Sequence, residues 1–249
     1  VVVYAFLVFF GILVLIPFYW MVLTSLKSFD LIYTETQPSL WVPFREMVFK
    51  NYLNALDAAP YLTYMANTVT VAFFATVGTV ITTILAGFAF ARLNFKGRDF
   101  LFAILIATMM IPGEIFVITN FITVSDLGWL GSNNISQTYS DALKALSFPF
   151  MTSIFYIFFL RQSFKQIPDT LYRAAQVDGC GDFKYLRRVM IPIAKPTIIT
   201  ITILSAIGAW DAYIWPQLVA PSEENWLISV ALRSTSFVTG EGSDARPVY

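Results

Sequence analysis

Few side chains in this chain can do chemistry, and their types exclude more than they suggest. There is no histidine, and Cys180 is the only cysteine. A Ser-His-Asp or Cys-His nucleophile is therefore excluded within the chain, as are an internal disulfide and the usual Cys/His zinc sites. No GxxxxGK[ST] phosphate cradle is present, so the chain cannot hydrolyse ATP alone. No catalytic residue and no metal ligand is expected. Two carboxylates inside apolar sequence remain, together with one polar loop rich in Arg and Lys. Glu114 follows Pro112-Gly113, and Asp211 lies among Trp210, Tyr213 and Trp215. A carboxylate within a membrane segment is costly and usually faces protein or water. Glu114 either lines a polar pathway or stabilises the kink made by Pro112. Asn120, six residues on, need not share its face. Trp210, Asp211 and Tyr213 suit sugar ring faces and hydroxyls, but fit better an interfacial aromatic belt in which Asp211 reaches water.

The elements that must position these residues follow from composition. Hydrophobic residues make up 57% and charged residues 13%, against about 45–50% and about 25% in a soluble domain. Mean hydropathy is +0.67. The expected fold is all-α, a polytopic transmembrane bundle forming one domain over 1–249. A net charge of zero gives no sign of a nucleic-acid partner. A bilayer core needs about 20 apolar residues, which predicts five spans, at about 1–23, 68–91, 100–124, 145–160 and 197–219. The abrupt apolar start suggests a missing N-terminal segment. A signal peptide fits poorly, because Pro17, Tyr19 and Trp20 stand where small cleavage-site residues belong.

Residues 27–66 are polar and punctuated by Pro38, Pro43 and Pro60, with a short surface helix expected near 47–56. Gly78, Thr82 and Ala86 recur every four residues, a small-residue stripe that lets helices approach closely in lipid. The third span is interrupted at Pro112-Gly113-Glu114. An outer loop follows at 125–147, with Gly128, Gly131, Asn133 and Asn134; its Asp141 and Lys144 have no assigned role. Residues 148–160 are short for a crossing. The fourth helix either starts inside 142–146 with Lys144 snorkelling outward, or is partly shielded by neighbours. Residues 220–249 read as polar, ending in GEGSDARPVY.

Residues 161–196 form the polar loop. Asp169 after Pro168 can cap a helix. Leu171, Ala174, Ala175 and Asp178 fall on one helical face, where two alanines leave a shallow surface. Gly179 ends that helix. Phe183, Leu186 and Met190 share a face of a second helix, Lys184, Arg187 and Arg188 lie elsewhere on it, and Pro192 stops it. Charge bias assigns the sides. Arg92, Lys96, Arg98, Arg161, Lys165, Arg173, Lys184, Arg187, Arg188 and Lys195 occupy one set of loops. Lys27, Arg45, Lys50, Lys144, Arg233 and Arg246 are spread over longer segments on the other. The first set is cytoplasmic.

Ala174-Ala175, three residues, Gly179, nine residues, Val189, one residue and Ile191-Pro192 resemble the EAA loop of binding-protein-dependent ABC importer permeases. The resemblance implies that this loop docks on a cytoplasmic ATPase subunit, through Arg173, Ala174, Ala175, Asp178, Gly179, Val189, Ile191 and Pro192. It further implies a second permease subunit, a pair of ATPase subunits holding ATP and Mg, an extracellular or periplasmic solute-binding protein, and a multi-pass location among the lipids of a bacterial or archaeal cytoplasmic membrane. Arg173 departs from the family, which usually has Glu there; if that Glu pairs with a basic residue on the ATPase, Arg173 would repel it or need a different, acidic partner. Asn51-Tyr52 and Asn67-Thr68 resemble landmarks of the sugar-importing subgroup, and the overall spacing is similar to the second permease of carbohydrate importers of the maltose and glycerol-phosphate type. The family normally has a sixth helix, expected to be missing from the C-terminus here. Two other classes stay open: an ion-coupled transporter using Glu114 and Asp211, and a non-transporting scaffold whose basic loop binds a partner or anionic lipid.

Overall fold

In the computed structural model, the structure describes residues 2–35, 39–131 and 136–238. Pro38, Asn133, Asn134, Arg246 and the GEGSDARPVY stretch lie outside the described residues. Among the described residues all regular structure is helical, as the apolar composition requires. The chain divides into two compact units, residues 1–62 with 234–249, and residues 63–233.

The first unit is built on α1, Val2–Ser25, a continuous apolar helix containing Pro17. Its end is tied down by polar contacts. Lys27 is buried, and its Nζ donates to Glu35 Oε2 at 2.6 Å and to the Ser39 carbonyl at 3.3 Å. Asn51 Nδ2 donates to the Ser25 and Lys27 carbonyls at 3.0 and 2.8 Å, and the Tyr52 and Ser25 hydroxyls share a 2.7 Å bond. Carbonyls at a helix end lack intrahelical donors, so Asn51-Tyr52 acts as the stop of α1. Two short helices complete the unit, α2 (Phe29–Thr34) and α3 (Lys50–Ala58), the latter close to the expected surface helix.

The second unit is organised around α4, Tyr61–Arg92. At 32 residues and 1.5 Å per residue it is about 48 Å long, and it starts well before the expected 68. Its buried face runs through Val71, Ala75, Thr79, Thr83 and Gly87. The expected span over 100–124 is two short helices, α5 (Arg98–Thr108) and α6 (Ile115–Asp126), separated at Pro112-Gly113-Glu114. The fourth span is also broken. It starts at Tyr139, ahead of 142–146, as α7 (Tyr139–Ser147), passes through a tight turn at Phe148–Phe150, and continues as α8 (Ile154–Lys165), bent by 52°. Asp141 and Lys144, unexplained by sequence, form a 2.9 Å ion pair one turn apart on α7.

The break is received by the small-residue stripe of α4. A Cβ on Gly78 would lie 2.4 Å from Met151 Cγ and 2.8 Å from its Cβ, so glycine is what allows the approach. Thr79 Oγ1 donates to the Phe150 carbonyl at 2.7 Å and Thr82 Oγ1 to the Met151 carbonyl at 2.6 Å. Backbone groups freed by a broken helix must find such partners where water is absent.

The polar loop contributes α9 (Asp169–Val177), α10 (Asp182–Tyr185), a π-helical turn at Leu186–Met190 and α11 (Ile191–Ile193). After an 81° bend the chain runs on as α12 (Lys195–Asp211), breaks at Ala212-Tyr213, and forms α13 (Ile214–Val219). A further helix, α14 (Ile228–Val238), lies in sequence expected to be polar loop, and it buries Val230 and Ala231. Thr68 Oγ1 accepts from the Ile228 amide at 2.9 Å, and Asn67 Nδ2 donates to the Glu224 and Trp226 carbonyls at 2.8 and 3.1 Å. The Asn67-Thr68 pair thus anchors the start of α14. By length and apolarity, two described helices can cross a membrane unaided, α1 and α4, or up to four spans if each bent pair counts as one. The five expected spans are not all continuous helices.

Candidate coupling site

The site is the hairpin made by α9 and the helix that follows it. Pro168 precedes α9 and fixes its entry, but Asp169 is its first helical residue and not a side-chain cap. The Asp169 carboxylate instead pairs with Arg92, the last residue of α4. At the other end Gly179 takes φ +70°. Its amide donates to the Gln176 carbonyl at 3.0 Å, and the Cys180 amide reaches back to Ala175 at 2.8 Å. This pair of bonds is a Schellman motif, whose left-handed residue is ordinarily glycine. The Tyr172 hydroxyl then donates to Asp182 Oδ1 at 2.6 Å, and the Tyr172 and Tyr185 rings sit 5.0 Å apart. The bond to Asp182, with burial second, pushes the Tyr172 phenol up to about 12.

No residue of α9 is buried. Arg173, Ala174, Asp178 and Gly179 are exposed, as is Pro192. Ala175, Val189 and Ile191 turn inward and pack on a core of Phe88, Leu160, Phe164, Leu186 and Met190. The two alanines therefore do not form one open surface: Ala174 faces out and Ala175 faces the core. Phe183 is 70% exposed, and Tyr185 takes the buried place expected for it. The Ile191 amide bonds to the Leu186 carbonyl across the π turn. A five-residue spacing sets Tyr185, not Phe183, beneath Met190.

Beneath the hairpin two arginines, read from sequence only as markers of side, join the helices. Arg92 is buried, its Nη2 donating to the Phe164 carbonyl at 2.7 Å and also to the Ile167 carbonyl, beyond the end of α8. Arg161 is buried too, with Nε donating to the Phe90 carbonyl at 3.1 Å and its guanidinium 3.7 Å from the Phe102 ring centre. Each arginine follows an apolar run, and no local sequence signal distinguishes its burial from an exposed position at a helix end. Arg92, Arg98, Lys165 and Arg173 also line one polar cavity of about 830 Å³, together with Asp169 and Asp182.

The residues expected along a polar pathway lie on two elements, α6 and the end of α12. Glu114 is exposed at the start of α6, and Asn120 is half-buried on that helix. Trp210 and Asp211 are exposed in the last turn of α12, and the half-buried Tyr213 ring lies 4.1 Å from the Arg233 guanidinium carbon. None of the five lines the cavity of about 360 Å³ at the α7/α8 and α12/α13 breaks, whose walls include Thr79, Thr152, Ser153, Tyr156, Ser205 and Trp215. That volume is at the low end of the ~300–1,000 Å³ usual for small-molecule pockets.

Comparison with known proteins agrees with this architecture. The arabinooligosaccharide transport system permease protein of Bacillus subtilis is 28% identical over 236 residues, spanning 94% of this chain and 80% of that protein. The diacetylchitobiose uptake system permease protein of Streptomyces coelicolor is 26% identical over 229 residues, spanning 91% of this chain and 71% of that protein. A crystal structure of a bacterial ABC transporter involved in importing the acidic polysaccharide alginate contains a chain that matches with TM-score 0.82 and 26% identity, over 97% of this chain and 81% of that one. The model of the binding-protein-dependent transport system inner membrane component matches residues 78–238, which include the α9 hairpin and both helix breaks. The chain belongs to that family, the inner-membrane components of binding-protein-dependent transport systems.

Proposed function

We propose that this chain is a transmembrane permease subunit of an ATP-driven importer of a carbohydrate, and that α9 is the helix through which a separate ATPase subunit drives it. The carbohydrate class rests on the two relatives named for oligosaccharide uptake and on the alginate transporter. The working assembly contains a second permease subunit, a pair of ATPase subunits with their ATP and Mg, and a solute-binding protein outside a bacterial cytoplasmic membrane.

One observation carries the docking reading. A short helix with none of its residues buried is held rigidly at both ends, by Arg92 at its first residue and by the Gly179 motif at its last. Left free, such a segment would fray, since an isolated helix this short is marginal. Its outward residues, Arg173, Ala174, Asp178 and Gly179, form the contact, and Arg173 there selects an acidic partner. ATP-driven closure of the ATPases displaces the hairpin as a body, and the helices joined to it rock between inward and outward access.

The test is Gly179→Leu in the assembled importer. No atom lies within 4 Å of a Cβ at Gly179, so the fold is not disturbed by contact. The positive φ strains any L side chain by about 1–2 kcal/mol, enough to shift the end of α9. Membrane insertion is expected to persist while stimulation of ATP hydrolysis by loaded binding protein is lost. Undiminished stimulation in this variant would overturn the reading.

A further inference from the structure

We propose that Arg92 is a positioning residue that carries displacement of α9 directly into α4, so that the coupling hairpin moves a helix to which the loop does not connect it. The proposal rests on the reading that α9 meets the ATPase.

Chain connectivity offers α9 two other routes to the rest of the bundle. Backward, it leads into α8, whose path ends at the 52° break; forward, it leads through α11 into α12 across an 81° bend. The forward route bends before it reaches the cavity, while α8 runs straight as far as Tyr156 in the cavity wall. The helix α4 runs unbroken from Tyr61 to Arg92. Its Val71, Ala75 and Thr79 form part of the wall of the cavity at the helix breaks. Thr79 is about 20 Å from Arg92 at the usual helical rise. The helix α4 thus offers a straight rod from hairpin to cavity, as α8 does through Tyr156, but one that the loop does not join to α9.

The joint at its end is electrostatic. The Arg92 side chain is 4% exposed, and the Asp169 side chain is 72% exposed. A buried guanidinium needs acceptors for its donors, and Asp169 is the one carboxylate bonded to it among the described residues. The Phe164 and Ile167 carbonyls take the other Nη. The same group therefore grips the end of α8, the link, and the first residue of α9. If α9 moved without α4, a buried guanidinium would lose the one carboxylate bonded to it among the described residues. Moving both together keeps the pair intact. Arg161 locks the arrangement from the α8 side through the Phe90 carbonyl near the end of α4, with Asp99 3.6 Å from its Nη2.

The experiment uses the complete importer in vesicles, with Asp169→Asn, Arg92→Gln and the double variant. Three quantities are read: loaded-binding-protein stimulation of ATP hydrolysis relative to the unstimulated rate, solute moved per ATP, and cross-linking of the native Cys180 to the ATPase subunit. Asp169→Asn removes the counter-charge at an exposed position and leaves Arg92 in place. It is expected to lower the stimulation ratio about fivefold or more, the lower end of usual coupling between sites, with the Cys180 cross-link retained. The double variant should lose no more than the worse single variant, because both remove one interaction. Wild-type stimulation and solute per ATP in Asp169→Asn would overturn the proposal, as would additive losses in the double variant. Loss of the cross-link in Asp169→Asn would also overturn it, by showing that the pair serves docking. If Arg92→Gln fails to assemble, Asp169→Asn alone decides. Absence of any Cys180 cross-link in the wild-type importer counts against the docking reading itself and is recognisable as that separate failure.

Discussion

At Tyr172 a single hydroxyl helps decide how firmly the two arms of the α9–α10 hairpin hold together. Its proton is shared with Asp182 at 2.6 Å, and that bond raises the phenol to about 12. A raised folded pKa favours the protonated form, so the contribution is complete below the ordinary value near 10 and is lost as pH climbs through about 12. Tyr172→Phe should cost the hairpin about 1 kcal/mol, seen as faster amide exchange over residues 169–185. The alkaline absorbance difference between wild type and variant should fall near pH 12 and not near 10. At this scale the sequence was read well where a residue acts locally and poorly where it acts at a distance. Gly179 was legible, because a glycine after an amphipathic helix marks a helix end wherever it occurs. Asp169 was read as a cap because Pro-Asp ahead of a helical face usually means that; its partner Arg92 lies 77 positions away. Nothing in the charge of Arg92 or Arg161 separates a buried clasp from a solvated topology marker.

Among elements, the informative contact is α4 against the break between α7 and α8. Gly78→Val places carbon where Met151 Cγ and Cβ already lie. Overpacking of this kind costs about 1–3 kcal/mol, so a lower unfolding temperature in detergent is expected, recovered in part by adding Met151→Ala. Full stability in Gly78→Val alone would show that the break can move aside. The stripe of small residues announced close packing, and the structure has it. That its partner is a broken helix was not announced, because hydropathy measures how long a segment is apolar and not whether it is straight. Pro149, within the Phe148–Phe150 turn, was the available signal, since proline removes a donor and disturbs a helix. For α14 the signal was diluted: Leu227, Val230 and Ala231 are buried, but the polar residues around them made the whole of 220–249 read as loop.

For the whole molecule the main assignment is which face of the membrane the hairpin occupies. Cys180 is half-buried and is the chain's single thiol, which makes it a reporter needing no substitution. A membrane-impermeant maleimide is expected to label it in inverted vesicles and not in right-side-out ones. Equal labelling from outside would reverse the side assignment. Fold class and family were legible at this scale because they rest on sums over many residues, on apolar fraction, charge asymmetry and the spacing from Ala174 to Pro192. The number of continuous spans was not, because the α7/α8 break is held by the Thr79 and Thr82 hydroxyls and the α12/α13 break by the Ser229 hydroxyl, which composition cannot locate. Finally, because α9 leaves none of its residues buried, selection on its outer face is released from the demands of the bundle. That face can vary without any helix having to repack, and Arg173 alters what it offers while leaving the architecture alone.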